Sequence, residues 1–325
     1  MDRVRFGTLG AARITPAALV RPARKLDEAE VVAVAARDRE RAGTFAKKHG
    51  IPTVLTSYDE LVSHPDVDAV YNPLPNSLHC KWTLAALEAG KHVLCEKPFT
   101  SNAEEAELVA QAAERSGRVV IEAFHWRYHP LAARMKEIVD SGELGDIRHV
   151  EASLCFPLPK RSDIRWQLEL AGGATMDAGC YPISMVRHLA GAEPEVISAH
   201  ARLRSPEVDR AMTAELRFAD GRTGRIQCSM WSATVLRMRV RVVGDKGEMR
   251  VFNPLANVYH RLRVTTPAGR RAEHVRDGTT YFHQLKAFCA AVLRGEPVLT
   301  PPSDAVANMR VIDAVYRAAG LQRRG

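Results

Sequence analysis

No pair of cysteines in this chain is spaced to hold a metal or a redox bridge. The six cysteines stand at 80, 95, 155, 180, 228 and 289, with no C-x-x-C among them. That argues against a zinc ribbon or a thioredoxin-type motif and fits buried thiols in a reducing compartment. Long hydrophobic runs are also missing. All fall far short of the ~20 apolar residues that span a bilayer. A strand-like run opens within a few residues of Met1 and leaves no room for a signal peptide, so a cytoplasmic protein is expected. Aromatics are scarce, at 6%. Basic residues outnumber acidic ones, 46 to 38, for a net charge of +8, but they are spread along the whole chain. Without a basic stripe interleaved with aromatics there is no nucleic-acid footprint. The basic balance suits a phosphorylated cofactor or an anionic substrate instead. What is present is ordinary for a globular protein: 325 residues, 46% hydrophobic and 26% charged, enough for two domains.

The first 120 residues alternate short β-branched runs with helical stretches. Strands are expected at 4–9, 30–36, 54–55, 68–72, 92–95 and 119–121. Helices are expected at 14–26, 39–49 (stopped by Gly50), briefly after Ser57, at 79–89 and at 102–116 (stopped by Gly117). This alternation predicts a doubly wound parallel sheet, whose ligands bind beyond the carboxyl ends of its strands. The turn after the first strand should then cradle phosphate. The positions of a G-x-G-x-x-G fingerprint hold Gly10, Ala12 and Thr15. The glycine needed for the tight turn is there, and alanine at the second position still admits a pyrophosphate.

The end of the second strand bears on the cofactor. An NAD site wants an acidic residue there for the ribose 2′-hydroxyl. Here Ala36 and Arg37 hold the strand-end positions, followed by Asp38. A small residue leaves room for a 2′-phosphate, and a guanidinium pairs with it. NADP is therefore favoured over NAD, with Asp38 as the competing reading if it reaches the ribose.

Past residue 125 the pattern changes. A helix at 129–139 is followed by strands at 147–155, 196–203, 211–218, 224–231, 236–243, 248–252, 260–266 and 272–276, with hairpin turns at 219–221 and 244–247. Two helices, 282–294 and 303–319, close the chain. The expectation is an α+β domain with a large, mostly antiparallel open sheet, giving a Rossmann domain over 1–123 and a substrate and oligomerisation domain over 124–325.

Two segments carry candidate chemistry. Glu96-Lys97-Pro98 ends the apolar run 92–95 at the ligand-binding edge, where proline stops the strand and biases Lys97 away from helical geometry. Gly172-Gly173-Ala174-Thr175-Met176-Asp177-Ala178-Gly179-Cys180-Tyr181-Pro182 leads from paired glycines into a helix, and Asp177 and Tyr181 share a face if that turn is helical. A tyrosine with a pKa near 10 is a poor base alone, but a nearby ammonium favours its phenolate and stabilises charge developing on a substrate oxygen.

These motifs together resemble the glucose–fructose oxidoreductase / inositol dehydrogenase family. The resemblance runs almost the full length. It rests on Gly7 to Ile14, Pro75-Asn76-Ser77-Leu78-His79, Glu96-Lys97-Pro98, Glu122-Ala123-Phe124 with Trp126-Arg127-Tyr128-His129-Pro130, and Gly172-Gly173 through Asp177, Gly179 and Tyr181. It implies an active-site Lys97, a Lys97–Pro98 bond in the cis form, and a proton-transfer partner in the segment of Asp177 and Tyr181. It implies dimers or tetramers formed through the open sheet. It also places Gly10, Ala11, Ala12, Arg13, Ile14, Ala36, Arg37, Pro75, Asn76, Glu96 and Lys97 at the cofactor, with His79 either facing the nicotinamide pocket or simply starting its helix, and Trp126, Arg127 and Arg165 as further candidates that could equally be structural. The inositol dehydrogenase branch has histidine where this chain has Tyr181. Tyrosine is similar to the branch of dihydrodiol dehydrogenases, NADP-dependent xylose dehydrogenases and sugar ketoreductases. Asp177 is either catalytic or a helix cap, and Glu96 either anchors Lys97 or binds the nicotinamide ribose. Lys160 and Arg161 hint at an anionic substrate group. His125, His129 and His188 have no metal-ligand spacing, so no metal is expected. The rival reading is a non-catalytic NADP(H)-binding regulatory sensor.

Overall fold

The computed structural model describes residues 2–255 and 259–325. The chain divides into two compact units: residues 1–128 with 280–306, and residues 129–279 with 307–325. The expected boundary at 123/124 is a single cut. In the structure the division comes after Tyr128, and the segment from Thr280 to Val306 returns to the first unit.

The first unit is built on six parallel strands: β1 (Val4–Leu9), β2 (Ala29–Ala35), β3 (Thr53–Leu55), β4 (Ala69–Asn72), β5 (His92–Cys95) and β6 (Val120–Glu122). Their order is β3-β2-β1-β4-β5-β6. Between them run a π turn (Pro16–Val20) continuing into α1 (Arg21–Ala23), then α2 (Arg39–His49), α3 (Tyr58–Ser63), α4 (His79–Glu88) and α5 (Ala103–Ser116). The helix ends follow local chemistry. Asp38 accepts the Arg41 N–H at the start of α2, Ser57 that of Glu60 at α3, and Asn102 that of Glu105 at α5. Gly50 and Gly117 close α2 and α5 in the left-handed conformation. The strands are buried on both faces, as a parallel sheet covered by helices requires. Phe6, Tyr71, Leu94 and Ile121 pack with Leu285 and Phe288 of α8 (Thr280–Arg294), and the Phe6 and Phe288 rings lie 5.4 Å apart.

The second unit holds α6 (Pro130–Asp140), β7 (Ile147–Cys155), a π turn (Thr175–Gly179) running into α7 (Cys180–Ala190), and seven more strands. These are β8 (Glu195–Ser205), β9 (Val208–Arg217), β10 (Thr223–Ser229), β11 (Arg237–Gly244), β12 (Glu248–Phe252), β13 (Arg261–Thr266) and β14 (Gly269–Glu273). The eight strands order as β14-β13-β12-β11-β7-β10-β9-β8, and all pairs are antiparallel except β7 with β10. Val240, Val242, Met249, Val251, Leu262 and Val264 are buried, while Arg239, Arg250, Arg261 and Arg263 alternate with them on the other face. Residues 307–318 of α9 (Pro302–Ala318) belong to this unit. Among the described residues no helix is long and apolar enough to cross a membrane.

Candidate active site

The first unit presents two groups of candidate residues at the carboxyl ends of its strands. One surrounds the turn after β1. Gly10 has φ +83°, a conformation L side chains rarely adopt, so glycine suits this turn. Among the described residues, the buried hydroxyls of Thr8 and Thr15, at either side of the turn, have no hydrogen-bond partner. Ala36 is buried and small at the end of β2, and Arg37 beyond it is exposed. The Asp38 carboxylate is used: its Oδ1 accepts the Arg41 N–H at 3.0 Å as the cap of α2. Sequence reading passed over Arg41. Its guanidinium donates to the Ala11 carbonyl at 2.9 Å and so stands over the turn. Arg13, Arg41 and Lys48 line a cleft of about 690 Å³ with Ala11 and Ala12. A glycine turn with unanswered hydroxyls, a small strand-end residue and guanidinium groups fits a dinucleotide bearing extra phosphate; Asp38, whose Oδ1 caps its own helix, and Glu40 also line the cleft.

The other group surrounds Lys97. The Lys97–Pro98 bond is cis. Glu96 is 9% exposed, and its carboxylate accepts the Tyr71 hydroxyl at 2.8 Å, a bond from the neighbouring strand β4. Burial pushes the Glu96 carboxyl up, against the pull of the Lys97 ammonium and the Tyr71 bond. Glu96 in turn holds the phenols of Tyr71 and Tyr281 up, after burial. His79 is buried with Nδ1 2.8 Å from the Pro98 carbonyl and Nε2 2.8 Å from the Leu74 carbonyl. Two acceptors would suit an imidazolium, but burial outweighs them and, with Lys97, holds His79 down to about 4. A neutral ring donates to one carbonyl only, so the other contact is a cost borne by the fold. His125 is held down to about 3 by burial and then by Lys97, with Nδ1 2.7 Å from the Thr280 hydroxyl and its ring 4.3 Å from that of Tyr281. The Lys97 charge is therefore felt by Glu96, His79 and His125 at once. Tyr71, His125, Thr280 and Tyr281 escaped sequence reading. Tyr71 looks like any strand aromatic, and Thr280 and Tyr281 lie far along the chain.

Both imidazoles are neutral in the fold and charge freely once unfolded, where the ordinary value is 6.5. The stability they contribute is complete above about pH 6.5 and is lost as pH falls toward 4. The urea midpoint is expected to drop between pH 7 and pH 5, and a His125→Asn variant should show a shallower drop. An equal pH slope in the variant would refute this.

Trp126 is fully buried, and Arg127 donates to the Leu299 carbonyl at 3.3 Å and pairs with Asp304 at 3.8 Å, which ties residues 299–304 down within the unit. Pro75 and Asn76 are half-buried and Arg13 is exposed.

In the second unit, Asp177 and Tyr181 lie where a π turn passes into α7. Pro182 has no N–H to offer the Ala178 carbonyl, which disfavours α-helical register here. Asp177 sits inside the π turn and not at its cap. Its Oδ1 is 3.9 Å from Arg165 Nε, which also lies 3.6 Å from Asp163. Tyr181 is 8% exposed. Among the described residues no cluster of three or more His, Cys, Asp or Glu side chains could hold a metal.

The profile of an oxidoreductase family with an NAD-binding Rossmann fold matches residues 4–124, and that of the GFO/IDH/MocA C-terminal domain matches residues 132–250. The chain belongs to the Gfo/Idh/MocA family of oxidoreductases. Within this family it is 38% identical, over 97% of both chains, to the D-xylose 1-dehydrogenase (NADP⁺) 2 of Haloferax volcanii. It is 38% identical to the trans-1,2-dihydrobenzene-1,2-diol dehydrogenase of Bos taurus, over 70% of this chain and 67% of that one. Among solved structures, a 3-ketoreductase from Actinomadura kijaniata in complex with NADP and TDP-benzene superposes with a TM-score of 0.91 at 30% identity over 98% of each chain. Structures of that ketoreductase with a lysine replaced by alanine and with a tyrosine replaced by phenylalanine are also similar to this chain. The two substituted positions have the same separation along the sequence as Lys97 and Tyr181.

Proposed function

We propose that this protein is an NADP(H)-dependent oxidoreductase of a hydroxyl or carbonyl carbon on a sugar, keto-sugar or related cyclic diol, with Lys97, Tyr181 and Asp177 as its catalytic residues. The observation that carries the reading is the setting of Lys97. Lys97 follows β5 and the buried Glu96, whose carboxylate accepts the Tyr71 hydroxyl, and its charge lowers the pKa of Glu96, His79 and His125 together. The Actinomadura kijaniata ketoreductase, with a lysine and a tyrosine at the matching spacing, supports it.

NADP(H), when bound, supplies or takes the hydride. Gly10 to Ile14 would receive the pyrophosphate, and Arg37 and Arg41 the 2′-phosphate beside Ala36. Pro75, Asn76 and His79 would border the nicotinamide. The Glu96 carboxylate, held by the Tyr71 hydroxyl beside Lys97, would anchor Lys97. Lys97 stabilises the negative charge that develops on the substrate oxygen. The Tyr181 hydroxyl delivers a proton to that oxygen in reduction and takes it back in oxidation. Arg165 faces Asp177 next to this segment. Arg127 and Trp126 keep the wall of the first unit in place. Copies associate as a dimer or tetramer through the large sheet, and the six buried thiols suit the cytoplasm.

The test is a panel of aldoses, keto-sugars and trans-dihydrodiols assayed with NADP and with NAD. Turnover of at least one class with NADP is expected. NADPH binding without turnover of any would replace this reading with that of a sensor. A charge-assisted hydrogen bond is worth about 1.5–3 kcal/mol. Replacing Arg37 and Arg41 together by serine should therefore raise the NADP KM by roughly 10- to 100-fold and leave the NAD KM nearly unchanged. Equal losses for both cofactors would place the 2′-phosphate elsewhere.

A further inference from the structure

Arg324 lies beyond the end of α9 and is 1% exposed. Its Nη2 is 3.2 Å from Asp209 Oδ1, and both side chains are fully buried. The guanidinium also donates to the carbonyls of Gly172 at 2.9 Å, Gln322 at 3.1 Å and Glu207 at 2.6 Å, and it stacks on the Tyr316 ring with its centre 4.1 Å away. Asp209, on β9, is equally committed. Its Oδ1 also accepts the Tyr316 hydroxyl at 3.0 Å, and its Oδ2 accepts both the N–H and the hydroxyl of Thr175 at 2.7 Å. Gly173 lies between these groups at φ +132°, where a Cβ would come within 2.2 Å of Asp209 Oδ1 and 2.9 Å of the Tyr316 hydroxyl oxygen.

Gly172 and Thr175 are thus held by the two members of one buried ion pair, with Gly173 packed between them, and Asp177 and Tyr181 follow two and six residues after Thr175. The Ala174 cap position has no side-chain cap of its own. Asp209 supplies that service through space by binding the Thr175 N–H. A buried ion pair adds little net stability over apolar residues of the same volume, so its worth lies in the geometry it imposes. Catalytic groups lose about 100-fold in rate for a displacement of about 1 Å.

We propose that Arg324 and Asp209 are positioning residues that set the place of Asp177 and Tyr181, acting through Gly172 and Thr175 and not on the substrate. This rests on the role proposed above for Tyr181. The experiment compares Arg324→Met, Arg324→Lys and the milder Thr175→Val in the full chain. Readouts are kcat, KM, NADPH affinity by fluorescence titration, and amide hydrogen exchange over residues 173–181. Arg324→Met is expected to lower kcat by roughly 10- to 100-fold with NADPH affinity within about twofold of the wild type, to speed exchange over 173–181, and to be partly rescued by lysine. If Arg324→Met does not fold, Thr175→Val carries the test, with kcat down several-fold and the same local rise in exchange. Unchanged exchange over 173–181 in a folded variant overturns the proposal, as does a loss of NADPH affinity in parallel with kcat. If Tyr181→Phe proves fully active while exchange still rises in Arg324→Met, the role of Tyr181 has failed and the clamp itself stands.

Discussion

A Lys97→Met variant is expected to lose roughly 10²- to 10³-fold in kcat, the size of effect seen when one donor to a developing oxyanion is removed. NADPH affinity should change by no more than about threefold, because the residues proposed to hold the phosphates lie at the turn after β1 and the end of β2. Methionine keeps the unbranched apolar stem, so the loss reports the ammonium. The substitution has a second consequence inside the first unit. Lys97 lowers the pKa of Glu96 and of both His79 and His125. Without it the Glu96 carboxyl moves further up and the two imidazoles become easier to protonate. Steady-state rates and a fluorescence titration with NADPH decide the matter. Turnover within threefold of the wild type would remove Lys97 from the chemistry. A large loss of NADPH affinity would make it a cofactor ligand first.

Tyr181→Phe should cost about 10²- to 10³-fold in kcat with the fold intact, within the range for removing a general acid or base. The two side chains differ by one hydroxyl, and Tyr181 is nearly buried, so the packing of α7 is conserved. The pH dependence adds a signature. Oxidation needs the phenolate, so its rate should rise with pH in the wild type and become flat in the variant. Reduction needs the phenol, so its rate should fall at high pH and lose that limb in the variant. If Tyr181→Phe is fully active and Asp177→Asn is not, the proton passes through Asp177, which Arg165 already faces.

How far the sequence carried these conclusions depends on the range of the signal. The bounds of α2 are legible to the residue, because Asp38 and Gly50 mark its ends by their own conformational chemistry. The strands β7 and β12 match their expected spans because an alternating pattern is bounded by turn residues. The first helix differs: Pro16–Val20 forms a π turn before α1, a choice between hydrogen-bond registers that side-chain periodicity does not resolve. Lys97, Asp177 and Tyr181 stand out because motifs concentrate them in short stretches. Arg41 does not, because an arginine in the first turn of a helix resembles any solvated charge until its contact with Ala11 is known.

The sequence by itself determined the alternation of strands and helices, the glycine turn, the small residue and guanidinium at the end of β2, and the lysine held by proline. All of these follow from interactions within about a dozen residues. Only the tertiary structure decided that Tyr71 braces Glu96, and that α8 joins the first unit, where Thr300 bonds the backbone of Glu122 at 3.1 Å. It alone joined Arg324 to Asp209 and so to Thr175. The reason is physical. A buried polar group must find its partner wherever packing brings one, and local pattern carries no record of which distant residue that is.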